Sequence, residues 1–275
     1  MQDGTLDFYG RRIFYRGVGH GEPVILLHCA GGTLGQWRKL MEQMSDRYRL
    51  LAFDMFDHGR SEGPPDEQVS IFEQEVRLLE AFVQLMDGPV HLVGHSMGGG
   101  AAMRFTARHA DKITSLSIFE PTLFGLLANG GDDEGWSDFT RLLDGIRQGM
   151  ERGEQEAAAE ALVDYWTAPG TFRRLPPELQ AKAISGVSNS ILKLRVYVDD
   201  PVSTIFDPAA IEVPTLLLSG AQSPRSARGV IDILSAQLPN AHFLRLDNAG
   251  HMAPLMQPDR INPLIEAHIV EQSAS

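Results

Sequence analysis

The chain has 275 residues, room for one or two domains with a large core, and at 43% hydrophobic and 22% charged it has the make-up of a packed globular protein, not of a disordered, collagenous or coiled-coil one. Its 24 basic against 36 acidic residues leave a net charge of −12, which opposes nonspecific binding to nucleic acid or to an anionic membrane surface. The single cysteine, Cys29, excludes an intrachain disulfide framework and a Cys-based structural zinc site.

No apolar run approaches the ~20 residues of a membrane span, and Asp3, Asp7, Arg11 and Arg12 open the chain without a leader-like apolar stretch. The expected setting is cytoplasmic and the expected partner a small, neutral or apolar molecule; a homo-oligomer stays open. In chain order, strand-like runs occupy Arg12 to Arg16, Val24 to Leu27, Arg49 to Phe53, Val90 to Val93, Ile113 to Phe119, Thr215 to Ser219 and His242 to Leu246. The runs at Val24, Val90 and Thr215 are apolar at successive positions, as strands covered on both faces must be. Between runs, Ile71, Glu75, Leu78, Leu79, Phe82 and Leu85 keep a spacing near the helical period, and Val230, Ile233, Leu234 and Leu238 repeat it. This alternation predicts an α/β fold with a mostly parallel central sheet and helices on its two faces. The rhythm breaks after Pro121. From there to about Phe206 the chain reads as helices alone, over Trp136 to Met150, Glu154 to Trp166 and from Pro177 to Ala183 or beyond.

Gly94-His95-Ser96-Met97-Gly98 follows directly on the run at Val90 and leads into a helix-compatible stretch. A serine on a sharp strand-to-helix turn sits in strained backbone, and small residues two positions to either side prevent a clash. The turn points the hydroxyl out of the sheet and places it at a helix N-terminus, where developing negative charge is favoured. Ser96 is therefore the candidate nucleophile, and it needs a base. Nine histidines compete, and His251 fits best because it follows a strand and a Gly-containing turn far downstream of Ser96. His95 and His58 read as loop-holding residues, and His20, His91, His109, His242 and His268 have no partner pattern. No spacing suggests a metal, and no cofactor is expected.

These residues resemble the α/β-hydrolase fold family over nearly the whole chain. Leu26-Leu27-His28 with Gly31-Gly32 is similar to that family's loop after the third strand, Asp54 to Ser61 to the loop after the fourth, and Asn248 to His251 to its histidine loop. The resemblance implies a core from residues 1–120 and 207–275 interrupted by a helical cap at 121–206. It also implies an oxyanion hole from the backbone N–H groups of Ala30 and Met97, although Cys29 stands where the family usually has glycine. Many members carry their acid after the seventh strand, where this chain has Ser223 in Gly220-Ala221-Gln222-Ser223-Pro224. A serine cannot hold an imidazolium by charge. Glu120 ends the Ile113 run, at the carboxyl edge where chemistry collects in open α/β sheets, and the haloalkane dehalogenase branch similarly places its acid after strand six. Asp247 is the rival, and Asp199 and Asp200 read as a solvated turn before Pro201.

A serine at position 96 disfavours alkyl halide and epoxide opening, because the resulting ether would not be cleaved by water. Acyl transfer remains. The expected activity is hydrolysis of an ester, thioester or lactone of a small, fairly apolar acyl group by Ser96, His251 and Glu120, with Phe124, Trp136, Phe139 and Trp166 as candidate pocket residues. Alternatives are carbon–carbon bond hydrolysis, a cofactor-free haloperoxidase-like activity and, because of Ser223, a ligand-binding protein with a vestigial triad.

Overall fold

The computed structural model describes residues 1–66, 68–130, 132–199 and 207–273. Among them, β1 (Gln2–Phe8), β2 (Arg11–Val18), β3 (Glu22–Leu27), β4 (Tyr48–Phe53), β5 (Val90–His95), β6 (Ile113–Phe119), β7 (Thr215–Gly220) and β8 (Ala241–Leu246) form one sheet in the order β1-β2-β4-β3-β5-β6-β7-β8. β1 pairs with β2 and β2 with β4 in antiparallel fashion, and every other neighbouring pair is parallel. The sheet is thus the mostly parallel one that the alternating runs predict.

Period-two alternation sorts the apolar side chains onto two faces. Ile25, Leu27, Leu51, Phe53, Leu92 and Ile118 point to one, where Leu79, Phe82, Phe105 and Val230 from helices Ile71–Val83, Met97–Thr106 and Arg225–Gln237 cover them. Val24, Leu26, Leu50, Ala52, Val93 and Leu218 point to the other, against Trp37, Leu40, Ile261 and Ile265. A fully buried leucine or isoleucine contributes about 1.5–3 kcal/mol, so each central strand is locked in register from above and below.

β1 and the last helix, Pro258–Ser273, have no counterpart in the sequence reading. β1 is an edge strand with mostly exposed residues, joined to β2 by a tight turn at Tyr9 and Gly10, both at positive φ (50° and 79°), the backbone that two-residue hairpins require. Such a strand carries no apolar run to betray it.

Between β6 and β7 the described residues contain helices and no strand: Gly125–Gly130, Asp133–Glu151, Gln155–Trp166, Thr171–Arg174 and Pro177–Asp199. They enclose a small core of their own from Ile146, Ala158, Phe172, Val187 and Ile191. Asp199 closes the last of these helices instead of standing in a turn; Asp200, Pro201 and the expected boundary at 206 lie outside the described residues. Polar contacts fasten this segment to helix Arg225–Gln237. Arg225 pairs with Asp132 at 2.7 Å, and the Tyr165 hydroxyl donates to Asp138 at 2.6 Å while lying 2.6 Å from Ser226 Oγ. Among the described residues, no helix is long and apolar enough to cross a membrane.

Candidate active site

The carboxyl end of β5 turns sharply into helix Met97–Thr106, and Ser96 occupies the corner at φ 54°, ψ −114°. An L-residue held there is strained, and the strain persists because the surroundings over-determine it. The Ser96 N–H donates to the Phe119 carbonyl at 3.0 Å, and the Ser96 carbonyl accepts from Gly100 at 2.9 Å and Thr122 at 3.0 Å. A Cβ on Gly94 would lie 2.6 Å from Gly99 Cα, and one on Gly98 would lie 2.5 Å from the Leu27 carbonyl oxygen. Both glycines are therefore required by close approach.

The loop after β8 brings His251, only 3% exposed, to this corner, with Nε2 3.1 Å from Ser96 Oγ. Its other ring nitrogen, Nδ1, lies 2.7 Å from Glu120 Oε2. Glu120, 1% exposed, stands at positive φ (42°) just past β6. Its second oxygen, Oε1, accepts from Ser219 Oγ and from the Gly220 N–H, each at 2.8 Å. With one carboxylate oxygen spent on β7, the other faces Nδ1, which must then carry the proton and leave Nε2 free to accept one. Ser96, His251 and Glu120 thus form one continuous hydrogen-bonded chain. Asp247 is exposed, and its carbonyl accepts from Arg260 at 2.7 Å. Ser223, at the position where many family members carry their acid, is buried, and its hydroxyl has no hydrogen-bond partner among the described residues.

Met97 is the first residue of its helix, so its N–H has no carbonyl one turn back within the helix. Ala30 is exposed on the loop after β3. That loop is fixed by three buried polar side chains. His28 Nε2 accepts from the Met55 N–H at 3.0 Å, so Nδ1 carries the proton and donates to the Cys29 carbonyl at 2.7 Å. Burial, assisted by His58, lowers the His28 pKa to about 3, which keeps it neutral in this arrangement. Asp54 accepts from the Leu34 and Arg60 N–H groups at 2.8 and 3.0 Å and joins the loops after β3 and β4. Gln36 Oε1 accepts from the Cys29 N–H at 3.3 Å. The Cys29 thiol is buried, and burial pushes its pKa up to about 12.

Of the four candidate pocket residues, Phe124 and Phe139 stack with ring centroids 4.0 Å apart inside the main core, 1% and 0% exposed. Trp136 and Trp166 keep part of their surface. The Trp166 ring lies 4.6 Å from the His251 ring, which puts the end of helix Gln155–Trp166 directly over the imidazole. Ser219, Gly220 and Gln36 escaped sequence reasoning. The first two could have been found from strand pairing, since Phe119 lies opposite Leu218 and the next residues are Glu120 and Ser219. Among the described residues no group of three or more His, Cys, Asp or Glu side chains is placed to hold a metal ion.

A family model for the alpha/beta hydrolase fold matches residues 22–258. The chain is 24% identical to the (E)-2-((N-methylformamido)methylene)succinate hydrolase of Acinetobacter baylyi over 94% of each chain. It is 27% identical to a putative 2-succinyl-6-hydroxy-2,4-cyclohexadiene-1-carboxylate synthase of Bacillus subtilis over 88% of each. Among solved structures, the enol-lactonase from Burkholderia xenovorans LB400 has a TM-score of 0.72 at 18% identity, covering 97% of this chain and 100% of that one.

Proposed function

The chain belongs to the α/β-hydrolase fold family, and we propose that it is a serine hydrolase that cleaves an ester, thioester or lactone of a small, fairly apolar acyl group. The observation that carries this reading is the chain Ser96 Oγ, His251 Nε2, His251 Nδ1, Glu120 Oε2 at 3.1 and 2.7 Å. Ser96 attacks the acyl carbonyl while His251 Nε2 takes its proton, and Glu120 keeps Nδ1–H in place and stabilises the imidazolium. The Ala30 and Met97 N–H groups receive the oxyanion of the tetrahedral intermediate. His251 then returns the proton to the leaving oxygen or sulfur. A water, deprotonated by His251 in turn, attacks the Ser96 ester and releases the acid.

The described helices between Gly125 and Asp199 act as the cap over this site in this reading, with Trp166 as the wall beside the imidazole. A lactone-degrading enzyme and an enol-lactonase among the structural neighbours favour acyl chemistry on this fold. The test is incubation with short p-nitrophenyl esters, a small lactone and a fluorophosphonate probe. Turnover and stoichiometric labelling of Ser96 are expected; neither turnover nor labelling in the wild-type protein would overturn the reading.

A further inference from the structure

A second hydrogen-bonded chain runs beside the first. His95, the residue before the nucleophile, is fully buried, and its Nε2 lies 2.9 Å from the His251 carbonyl oxygen. Its Nδ1 lies 3.2 Å from Gln36 Nε2, and Gln36 Oε1 accepts from the Cys29 N–H at 3.3 Å. We propose that Gln36 and His95 are positioning residues of the reaction, because their chain ties the loop presenting the Ala30 N–H to the backbone of His251 and holds oxyanion donor and base as one unit. This rests on the serine hydrolase reading above.

Chemistry at the two ends allows the chain one polarity. The Cys29 N–H can only donate, so the Gln36 amide must turn its oxygen toward it. The amide nitrogen then faces His95 and donates, which makes His95 Nδ1 an acceptor and leaves the ring proton on Nε2. The His251 carbonyl can only accept, and Nε2–H is the group that meets it. A flipped amide or a second proton on His95 would set donor against donor at one of these contacts. Burial, and next the adjacent His251, push the His95 pKa well below the usual histidine value, so the neutral ring that the polarity needs is the one the site favours. Gln36 is 8% exposed and sits in the short helix Leu34–Trp37, so neither link is diluted by solvent. Cys29 immediately precedes Ala30, and the held carbonyl belongs to the base itself. A shift of either by a fraction of an ångström would misplace a group that must lie about 3 Å from the reacting atoms.

The experiment measures kcat and KM on a short p-nitrophenyl ester, with kcat normalised to Ser96 titrated by a fluorophosphonate, so that loss of folded protein does not count as loss of rate. Gln36→Met removes the amide from both contacts. Gln36→Glu keeps its shape and the acceptor for Cys29 but cannot donate to His95, and carries the test should the first variant not fold. His95→Asn keeps a partner for Gln36 and loses the reach to His251, whereas His95→Gln keeps an N–H in place of Nε2. The first three should lower kcat per titrated site about tenfold or more with KM within about twofold, and His95→Gln should recover part of the loss that His95→Asn suffers. Rates per titrated site within about twofold of wild type in Gln36→Met, Gln36→Glu and His95→Asn, or no advantage of His95→Gln over His95→Asn, would overturn the proposal. A wild-type protein that is neither labelled nor active would instead overturn the hydrolase reading on which it stands.

Discussion

The sheet carries a serine, a histidine and a glutamate in contact at each of its two edges, and they are built differently. At the carboxyl edge Ser96, His251 and Glu120 are joined at 3.1 and 2.7 Å. At the amino edge His91 Nδ1 lies 2.8 Å from Ser115 Oγ, and His91 Nε2 lies 3.5 Å from Glu22 Oε2 and 3.3 Å from Ser273 Oγ. The residue types match; the settings do not. Ser115 is an interior residue of β6, fully buried and paired with His91 across the ladder, with no strained turn to lift its hydroxyl out and no helix N-terminus beside it. The Glu22 side chain is 53% exposed, whereas Glu120 is sealed and gripped by Ser219 and Gly220. Under the proposed mechanism, a Ser–His–Glu contact becomes a reactive device only where the backbone presents the serine, a helix N-terminus stands beside it, and the acid is fixed well enough to choose the tautomer. Elsewhere the same trio is a polar seam that fastens a terminal helix to the sheet.

The sharpest way to break this comparison is to remove the serines in turn. Ser96→Ala should lower kcat/KM about 10⁴-fold or more, to the level left by binding and the oxyanion donors alone. Ser115→Ala should leave kcat/KM within about twofold and lower the unfolding free energy by about 1–3 kcal/mol, because it leaves a buried ring nitrogen of His91 without its partner. Steady-state kinetics with urea unfolding on both variants reads the two effects. A rate loss in Ser115→Ala, or full activity in Ser96→Ala, would reverse the roles assigned to the edges.

The acids come next. In Glu120→Gln the Gly220 N–H, donor only, keeps the amide oxygen toward β7 and turns the NH₂ toward His251. Nδ1 must then accept, the proton moves to Nε2, and Nε2 can no longer take the Ser96 proton. The expected loss in kcat is about 10³–10⁴-fold with the fold intact. Glu22→Gln and Asp247→Asn should each stay within about twofold, since neither carboxylate reaches the reacting groups. Equal losses in Glu120→Gln and Asp247→Asn would mean that the histidine is served by a different acid.

How much of this was legible in the sequence follows from which signals are local. Gly94, Ser96 and Gly98 could be read because the strained turn leaves a fixed spacing, although only the clash at Gly94 is local and the one at Gly98 is with Leu27 of β3. The apolar runs of β3, β5 and β7 were legible because burial on both faces fills successive positions. Glu120 could be named as the candidate acid because the family resemblance offers the ends of strands six and seven and Ser223 stands at the latter, but its grip by Ser219 depends on the register of β6 against β7. Gln36 was silent: it meets a histidine 59 positions away, and nothing in its neighbours marks it. The burial of Phe124 and Phe139 in the main core was not legible, because composition marks a side chain as apolar without saying whether it faces a cavity or the core. β1 was missed because an edge strand paired on one side can be almost wholly polar.

Acid should separate the edges less sharply. Burial lowers the pKa of His28 to about 3 and also lowers those of His95, His91 and His268. Below the ordinary value of 6.5 the unfolded chain takes up protons that these folded-state rings refuse, so stability present at neutral pH is lost as pH falls from 6.5 toward 3. Each fully buried histidine contributes up to about 1.4 kcal/mol per pH unit in that window. Urea midpoints at pH 7.5, 6, 5 and 4 should decline accordingly. His28→Asn, which retains a donor for the Cys29 carbonyl, should flatten the decline more than His91→Asn, because Glu22 opposes the shift at His91. A larger flattening in His91→Asn would show that the amino-edge seam, not the active-site loop, governs acid sensitivity.

The smallest expected effect lies within the carboxyl edge itself, where Cys29 and Ser96 are two nucleophilic side chains on adjoining loops. Thiolate, not thiol, is the reactive species, and burial holds the Cys29 pKa near 12, so at pH 8 only about one molecule in 10⁴ would carry the thiolate. Its sulfur is also sealed, at 2% exposure for the residue. Ser96 is hardly more exposed, at 5%, but His251 Nε2 lies 3.1 Å from its hydroxyl, and under the proposed mechanism takes its proton at the moment of attack, so that ground-state ionisation is not needed. Iodoacetamide at pH 8 should therefore leave the native protein unmodified by intact mass and fully active, while a fluorophosphonate labels it to completion. Denaturation in urea should expose Cys29 to one equivalent of alkylation. Rapid alkylation of the native protein at Cys29 would place the more reactive nucleophile of this edge on the loop after β3.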